Sequence, residues 1–253
     1  MRYGKLAILL ILAITVCACT KPTELERLKK AAEHGDVEAQ LNLGWMYHKG
    51  DGVPQDDAKA VEWWQKAASQ GDAHAQLELG LAFAMGKGVP KDSARAAEYY
   101  QESAENGYGL AQSALGQAYF SGDGVFKNYA KAVEWWEKAA EQGEFLAQYT
   151  LGTLYYKGEV VPQDYMKAVK WTRQAAEQGH PIAQFNLGVM YFNGQGVPKD
   201  YVLAYAWSNL AAVGEFASAQ DMRDSLKLNH AEITEAQRLS SNWKPGQGIQ
   251  REK

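Results

Sequence analysis

The stretch that decides the fold is "AQLNLGWMYHKGDGVPQDDAKAVEWWQKAASQG", Ala39 to Gly71. Its opening Ala39-Gln40 pair returns at Ala75-Gln76, Ala111-Gln112, Ala147-Gln148, Ala183-Gln184 and Ala219-Gln220, every step being 36 residues. Its second half also returns: "KAVEWWQKAASQG" (Lys59–Gly71) and "KAVEWWEKAAEQG" (Lys131–Gly143) differ at two of thirteen positions. A fixed period of this length is the mark of stacked structural repeats.

Each copy reads as two helices. In helix A, Ala39, Leu43, Gly44 and Tyr47 fall on one apolar stripe at 100° per residue. Gly44 recurs as Gly80, Gly116, Gly152 and Gly188. A mid-helix glycine costs about 1 kcal/mol against alanine, so its recurrence predicts a second helix crossing closely there. "GDGVPQD" (50–56) then ends helix A: Gly50 and Gly52 suit left-handed backbone, and Pro54 blocks continuation. Asp56 can cap the next helix, as can Asp92, Asn128, Asp164 and Asp200. Helix B places Ala60, Trp64 and Ala67 on one face and stops at Gly71.

Neither helix buries its stripe alone, so the pairs must stack, each touching its neighbours. The ends differ from the middle in the way capping requires. Thr23-Glu24-Leu25-Glu26 reads as a capping box opening a lone B-type helix. At the far end Arg223 and Asp224 stand where leucine and glycine belong, and "NHAEITEAQRLSSNW" (Asn229–Trp243) reads as a more polar closing helix.

The pattern "AQ..LG..Y..G.GV..D...A..W...AA..G" resembles the Sel-1-like repeat, a subclass of tetratricopeptide-like solenoid, in five copies from about Gly35 to Gly214. The resemblance implies an all-α fold, a right-handed superhelical α/α solenoid whose concave face holds proteins or peptides. Many exported bacterial members look like envelope or host-interaction factors. The expected layout is a signal peptide at 1–18, a tether and capping helix at 19–34, five repeats at 35–214, and a degenerate repeat with capping helices at 215–253. Val160 replaces the second loop glycine and Phe126 the loop proline, so both turns are expected to be remodelled. The last B helix is one residue short before Gly214.

The N-terminus reads as a targeting segment. Arg2 and Lys5 precede "LAILLILAITV" (Leu6–Val16), an apolar run of eleven. That is too short for a bilayer span of roughly 20 residues but suits a signal-peptide core. Val16-Cys17-Ala18-Cys19 resembles a bacterial lipobox, making Cys19 the expected lipidated first residue and the chain membrane-tethered. Cys17 fits worse, since Val16 would precede the cut; ordinary cleavage after Ala18, giving a soluble periplasmic or secreted protein, is the alternative. Thr20, in place of an aspartate after Cys19, resembles the outer-membrane sorting pattern of Gram-negative lipoproteins. Removing residues 1–18 takes away two basic residues and no acid, deepening the net charge from −4 to −6 and arguing against a nucleic-acid partner. With both cysteines in this segment, the mature chain can form no internal disulfide.

Catalytic constellations are sparse. The sequence holds no His-Glu-x-x-His, Cys-x-x-Cys, Gly-x-Ser-x-Gly or phosphate loop, and His34, His48, His74, His180 and His230 lack ligand spacing. No metal, cofactor or catalytic residue is therefore expected. Ser241-Asn242-Trp243-Lys244 matches Ser-x-x-Lys, the nucleophile motif of penicillin-binding enzymes. Some cysteine-rich members of the resembled family are described as penicillin-binding or β-lactamase-like. That enzymatic, peptidoglycan-related reading is the alternative, although Ser-Asp-Asn, Lys-Thr-Gly and the disulfides are missing. A purely structural envelope lipoprotein is a third.

The non-enzymatic reading places a partner on the side of helix A opposite its packing stripe. That side carries Asn42 and Trp45 in the first unit, Glu78 and Leu81 in the second, and Gln117 and Phe120 in the third. The fourth contributes Tyr149, Thr153 and Tyr156, and the fifth Phe185, Val189 and Phe192. These positions vary between copies while the packing stripe does not. Aromatics seven apart, Tyr149 with Tyr156 and Phe185 with Phe192, suit peptide recognition; packing between neighbouring A helices is the competing reading. The doubled tryptophans are assigned to packing. Aligned by period, the first position is aromatic throughout (Trp63, Tyr99, Trp135, Trp171, Trp207) and is read as obligatory. The second runs Trp64, Tyr100, Trp136, Thr172, Ser208.

Overall fold

A computed structural model describes residues 23–213, 217–249 and 251; the targeting segment, Cys19, Thr20 and Gly214 lie outside the described residues. Among these residues the chain forms thirteen helices and no strand. The lone helix α1 (Glu24–Glu33) is followed by five A/B pairs. The A helices are α2 (Val37–Lys49), α4 (Ala73–Met85), α6 (Gly109–Ser121), α8 (Phe145–Lys157) and α10 (Pro181–Asn193). The B helices are α3 (Asp57–Ala68), α5 (Ser93–Glu105), α7 (Tyr129–Glu141), α9 (Tyr165–Glu177) and α11 (Tyr201–Val213). The chain closes with α12 (Ala217–Ser225) and α13 (His230–Ser241). The principal contacts join sequential neighbours, most extensively A with B inside one unit, with α13 returning onto α11. The result is an α/α solenoid with a continuous row of buried small and apolar residues.

The caps sit where the sequence places them. Thr23 and Glu26 form the reciprocal capping box on α1, as do Asn229 and Glu232 on α13. The carboxylate of Asp56 accepts from the Lys59 amide at 3.0 Å, and Asp92, Asn128, Asp164 and Asp200 cap their helices alike. Every A helix of the five pairs ends on a left-handed glycine with φ between 70° and 83°.

A buried glutamine of the Ala-Gln pair ties helix A to its neighbours in each of the five units, and in units one, three and four it joins three helices. Gln148 donates to the Ala140 carbonyl on the preceding B helix at 3.0 Å and accepts from Gln178 on the following one at 2.8 Å. Gln40 and Gln112 repeat both bonds, while Gln184 shows the first. Gln76 departs from the pattern: it donates to Glu102 and accepts from Asn106. Buried amides left unpaired are costly, so these bonds fix the stacking register as well as adding stability.

The two expected loop departures divide. The Val160 loop is remodelled: Gly158 still donates to Leu154, but the second loop amide lacks the bond that Asp51, Lys87, Asp123 and Gln195 make back to their A helices. The Phe126 loop is not, because a proline there is a stop signal rather than a structural requirement. Its bonds match the other units, and Phe126 simply projects, 98% exposed. The C-terminal cap extends beyond α13. Trp243 packs edge-on against Trp207 at 6.3 Å, and the Gly246 amide donates to the Glu177 carbonyl at 2.6 Å. Arg251 pairs with Glu235 and Asp200, and Ile249 is buried.

Replacing Gln148 with leucine removes both cross-helix bonds and leaves the Gln178 amide with one fewer acceptor. The expected loss is about 1–2 kcal/mol in urea unfolding, against less than about 0.5 kcal/mol for the exposed control Glu141→Ala.

Candidate partner-binding groove

The face of the A helices opposite their packing stripe carries three hollows, each between successive A helices. One of about 180 Å³ lies between α2 and α4, lined by Trp45, Glu78, Leu81, Trp64, His48 and Asp57. One of about 260 Å³ lies between α4 and α6, with Gln117, Tyr100, Ala84 and Ala114. The largest, about 330 Å³, lies between α8 and α10. It gathers five of the expected residues, Tyr149, Thr153, Tyr156, Phe185 and Val189, with Asn186, Lys157 and Met190. Asn42 is exposed and lines none of the three.

The aromatics at the end of this stripe are already engaged. Phe120 packs on Tyr129 at 5.3 Å and on Trp136 at 5.5 Å. Phe192 packs on Tyr201 at 5.5 Å, and Tyr156 on Tyr165 at 5.6 Å while donating to the Gln195 side chain at 3.1 Å. Each leans on the start of its own unit's B helix. They form the wall of the groove, so the seven-residue aromatic pairs do not act as pairs.

The floor comes from helix B, and here the order of the two tryptophan positions is corrected in units one to three. The second position is buried in every unit: Trp64, Tyr100, Trp136, Thr172 and Ser208 are at most 8% exposed. The first is half-buried in units one to three (Trp63, Tyr99, Trp135) and buried in units four and five, where Trp171 is 3% and Trp207 0% exposed. Helical periodicity alone does not rank two adjacent residues flanking the same face; the position of helix A does. The second side chain lies directly over the recurrent glycine of helix A. A methyl group at Gly44 would fall 2.3 Å from Trp64, at Gly80 2.4 Å from Tyr100, and at Gly116 2.7 Å from Trp136. In units four and five the small Thr172 and Ser208 occupy this place beside Gly152 and Gly188.

Shrinking that side chain opens the groove. In unit one, Trp45 and Trp64 meet edge-on at 5.8 Å. The matching residues of unit four are Thr153 and Thr172, and both line the 330 Å³ cavity. Thr172 is 4% exposed, and its hydroxyl forms no hydrogen bond. In unit five the Ser208 hydroxyl meets the Met222 sulfur of α12 at 3.4 Å, so a neighbouring side chain takes up the space. The break in the aromatic series at position 172 is the sequence signal for this cavity, and it lies on helix B, at a position whose pattern reads as packing.

Electrostatics distinguish the hollow at the other end. Burial raises the Glu78 carboxyl from its usual range to about 7, with Lys49 opposing weakly. Glu78 accepts no hydrogen bond and forms no ion pair. Beside it the His48 ring meets Asp57 at 2.7 Å, and the Lys49 ammonium lies 5.0 Å from the Trp45 ring centroid. At this group the native state therefore holds more proton than the unfolded chain between about pH 4.5 and 7, and the contribution of Glu78 to stability falls as pH rises through that window.

The Ser-x-x-Lys match gains no support from the geometry. Ser241 is the last residue of α13, Ser241 and Lys244 are both exposed, and no hydrogen bond joins them. Nucleophilic catalysis needs the hydroxyl within hydrogen-bond reach of a base. Among the described residues, no group of three or more His, Cys, Asp and Glu side chains could hold a metal ion, and no helix is long and apolar enough to cross a membrane.

Helix pairs of fixed period, stacked side by side and closed by distinct end helices, define a repeat-solenoid scaffold. The model of the Sel1 repeat matches residues 37–72, 73–108, 109–144, 146–180 and 181–212, well over half of the sequence, and the chain belongs to the Sel1 repeat family. A crystal structure of a protective antigen of uropathogenic Escherichia coli, with the same repeat fold, is similar at 35% identity and a TM-score of 0.76. The match covers 85% of this chain and 47% of that one. A Sel1 repeat protein of Oxalobacter formigenes is similar at 38% identity and a TM-score of 0.74, over 80% of this chain and 59% of its own. The secretory immunoglobulin A-binding protein EsiB of Escherichia coli is 37% identical over 67 residues, 26% of this chain and 14% of that protein. The chain thus spans about half the length of the solved relatives and a small part of the third.

Glu78→Gln removes a half-buried carboxyl while keeping its shape. The variant should melt like the wild type below about pH 4, where the carboxyl is protonated in both states, and be more stable at pH 8. Groove water keeps the gain below the full value of the shift, at about 1–2 kcal/mol. Melting curves at half-unit pH intervals check it; parallel profiles would refute it.

Proposed function

We propose that this protein is a non-enzymatic adaptor of the bacterial envelope that holds a partner polypeptide along the concave, A-helix face of its solenoid. The observation that carries the reading is the contrast between the two sides of the A helices. The packing side repeats Ala, Gln, Leu and Gly in every unit, while the opposite side changes from copy to copy and contains the hollows. A surface that varies on an invariant frame, with a mainly apolar cavity rimmed by Asn186, Thr153 and Lys157, suits recognition of one particular chain. That EsiB is named for binding an immunoglobulin adds weight to a protein as the kind of partner.

The targeting segment supplies the location. Cleavage before Cys19, lipidation of its thiol and retention in the outer membrane would leave Thr20, Lys21 and Pro22 between the anchor and the capping residue of α1. A single acyl chain binds membranes reversibly, whereas the several chains of a bacterial lipoprotein anchor stably.

Two experiments test the proposal in cells of the source organism. A photo-crosslinking residue at Val189 should give a discrete adduct with another protein, and one at exposed Glu98 on α5 should not; equal adducts at both, or none at Val189, reject the groove. Cys19→Ser should move the protein from the membrane to the soluble fraction and abolish labelling by a fatty-acid analogue. Unchanged fractionation rejects the anchor.

A further inference from the structure

We infer that the cavity between α8 and α10 is an acceptor for a single aromatic side chain with a polar tip, tyrosine or tryptophan, supplied by the bound polypeptide. The inference rests on the groove reading above and names the chemistry that the groove recognises.

The chain itself carries the template. At the crossing of helix A with helix B, three units insert a ring of their own against the helix A glycine: Trp64, Tyr100 and Trp136. Unit five, with Ser208, uses Met222 of the next helix. Unit four has neither. Its backbone keeps the close approach, because a methyl at Gly152 would still stand 2.5 Å from the Thr172 hydroxyl and 3.2 Å from the Thr172 amide. The geometry that receives a ring elsewhere is therefore retained, and the ring is missing.

The remaining walls are ready for one. Unit one fills this place with the edge-on pair of Trp45 and Trp64; unit four replaces both by threonine and surrounds the space with Tyr149, Phe185 and Val189. A cavity of about 330 Å³ accommodates an aromatic side chain that buries its whole ring. A dry apolar void would accept any greasy group, but this one is lined by Thr172, a residue only 4% exposed whose hydroxyl has no hydrogen-bond partner. An entering phenol O–H or indole N–H can donate to that oxygen, which an aliphatic side chain cannot do. The internal precedent is Trp136, whose indole N–H donates to the Ser113 carbonyl at 3.1 Å.

The test uses the mature chain with methyl groups labelled for NMR, and three blocked amino acids as probes. N-acetyl-tyrosinamide and N-acetyl-tryptophanamide should shift the Thr172, Val189 and Met190 methyl signals saturably in the millimolar range, at least tenfold more strongly than N-acetyl-leucinamide. Leucinamide binding equally well, or no saturable shift from either aromatic, overturns the inference. Thr172→Trp restores the ring found in units one and three. It should melt at or above the wild-type temperature while weakening tyrosinamide binding at least tenfold and abolishing the Val189 crosslink. Should the indole not seat, Thr172→Phe serves the same purpose. Tyrosinamide binding that survives both plugs overturns the inference. Failure of the probes with an intact Val189 crosslink in Thr172→Trp rejects the aromatic pocket but leaves the adaptor standing. Probe binding with no crosslink in cells rejects the adaptor instead.

Discussion

At one point in each repeat the two helices approach so closely that a single methyl group does not fit. The glycine of helix A and the second position of the helix B doublet meet there, in all five units, whatever residue helix B carries. Glycine in mid-helix weakens the isolated helix, and the approach it permits recovers that loss through packing of the opposing side chain. Because the backbones set the distance, the side chain at the crossing becomes a plug whose size decides how deep the groove is. A tryptophan closes it and a threonine opens it, with no change in the helical frame.

The frame tolerates such changes because its register is held elsewhere. The buried glutamines tie each A helix to a neighbouring B helix, in units one, three and four to both the one before and the one after, and the N-cap residue of each B helix returns its amide to a carbonyl of the preceding A helix, as Asp164 does to Tyr155 at 2.9 Å. Alanines, glutamines and caps repeat, so each joint is nearly equivalent and the array is close to a sum of its parts. Variation is confined to residues that no joint needs. That division of labour leaves the A-helix face free to differ between units, from the half-buried Glu78 and its raised carboxyl pKa at one end to the apolar cavity at the other.

Much of the frame was legible in the residues. Local chemistry with local causes reads well: the Thr23 and Asn229 capping boxes, the capping aspartates and the left-handed glycines all stand where their sequence context puts them. So does the glycine crossing, since recurrence of an unfavourable residue points to a tertiary reason. The groove was legible only in outline. Tyr149, Thr153, Tyr156, Phe185 and Val189 converge on one cavity, but Phe120 and Phe192 are spent on Tyr129 and Tyr201, and Asn42 stands apart. The helical angle gives the direction of a side chain from its own axis and says nothing of what the neighbouring helix has already placed there.

By itself the sequence determined the number and order of the helices, their ends and their stacking, because period, capping and glycine placement act through the backbone within one or two turns. Tertiary structure alone decided how deeply each of two adjacent aromatics is buried, that Thr172 lines the groove as well as packing, and where the open space lies. A cavity is a gap between α8, α9 and α10, and it exists because Thr153 and Thr172, distant in sequence, are each smaller than the space their helices enclose. Period and propensity describe the helices, and the void is set by the distances between them.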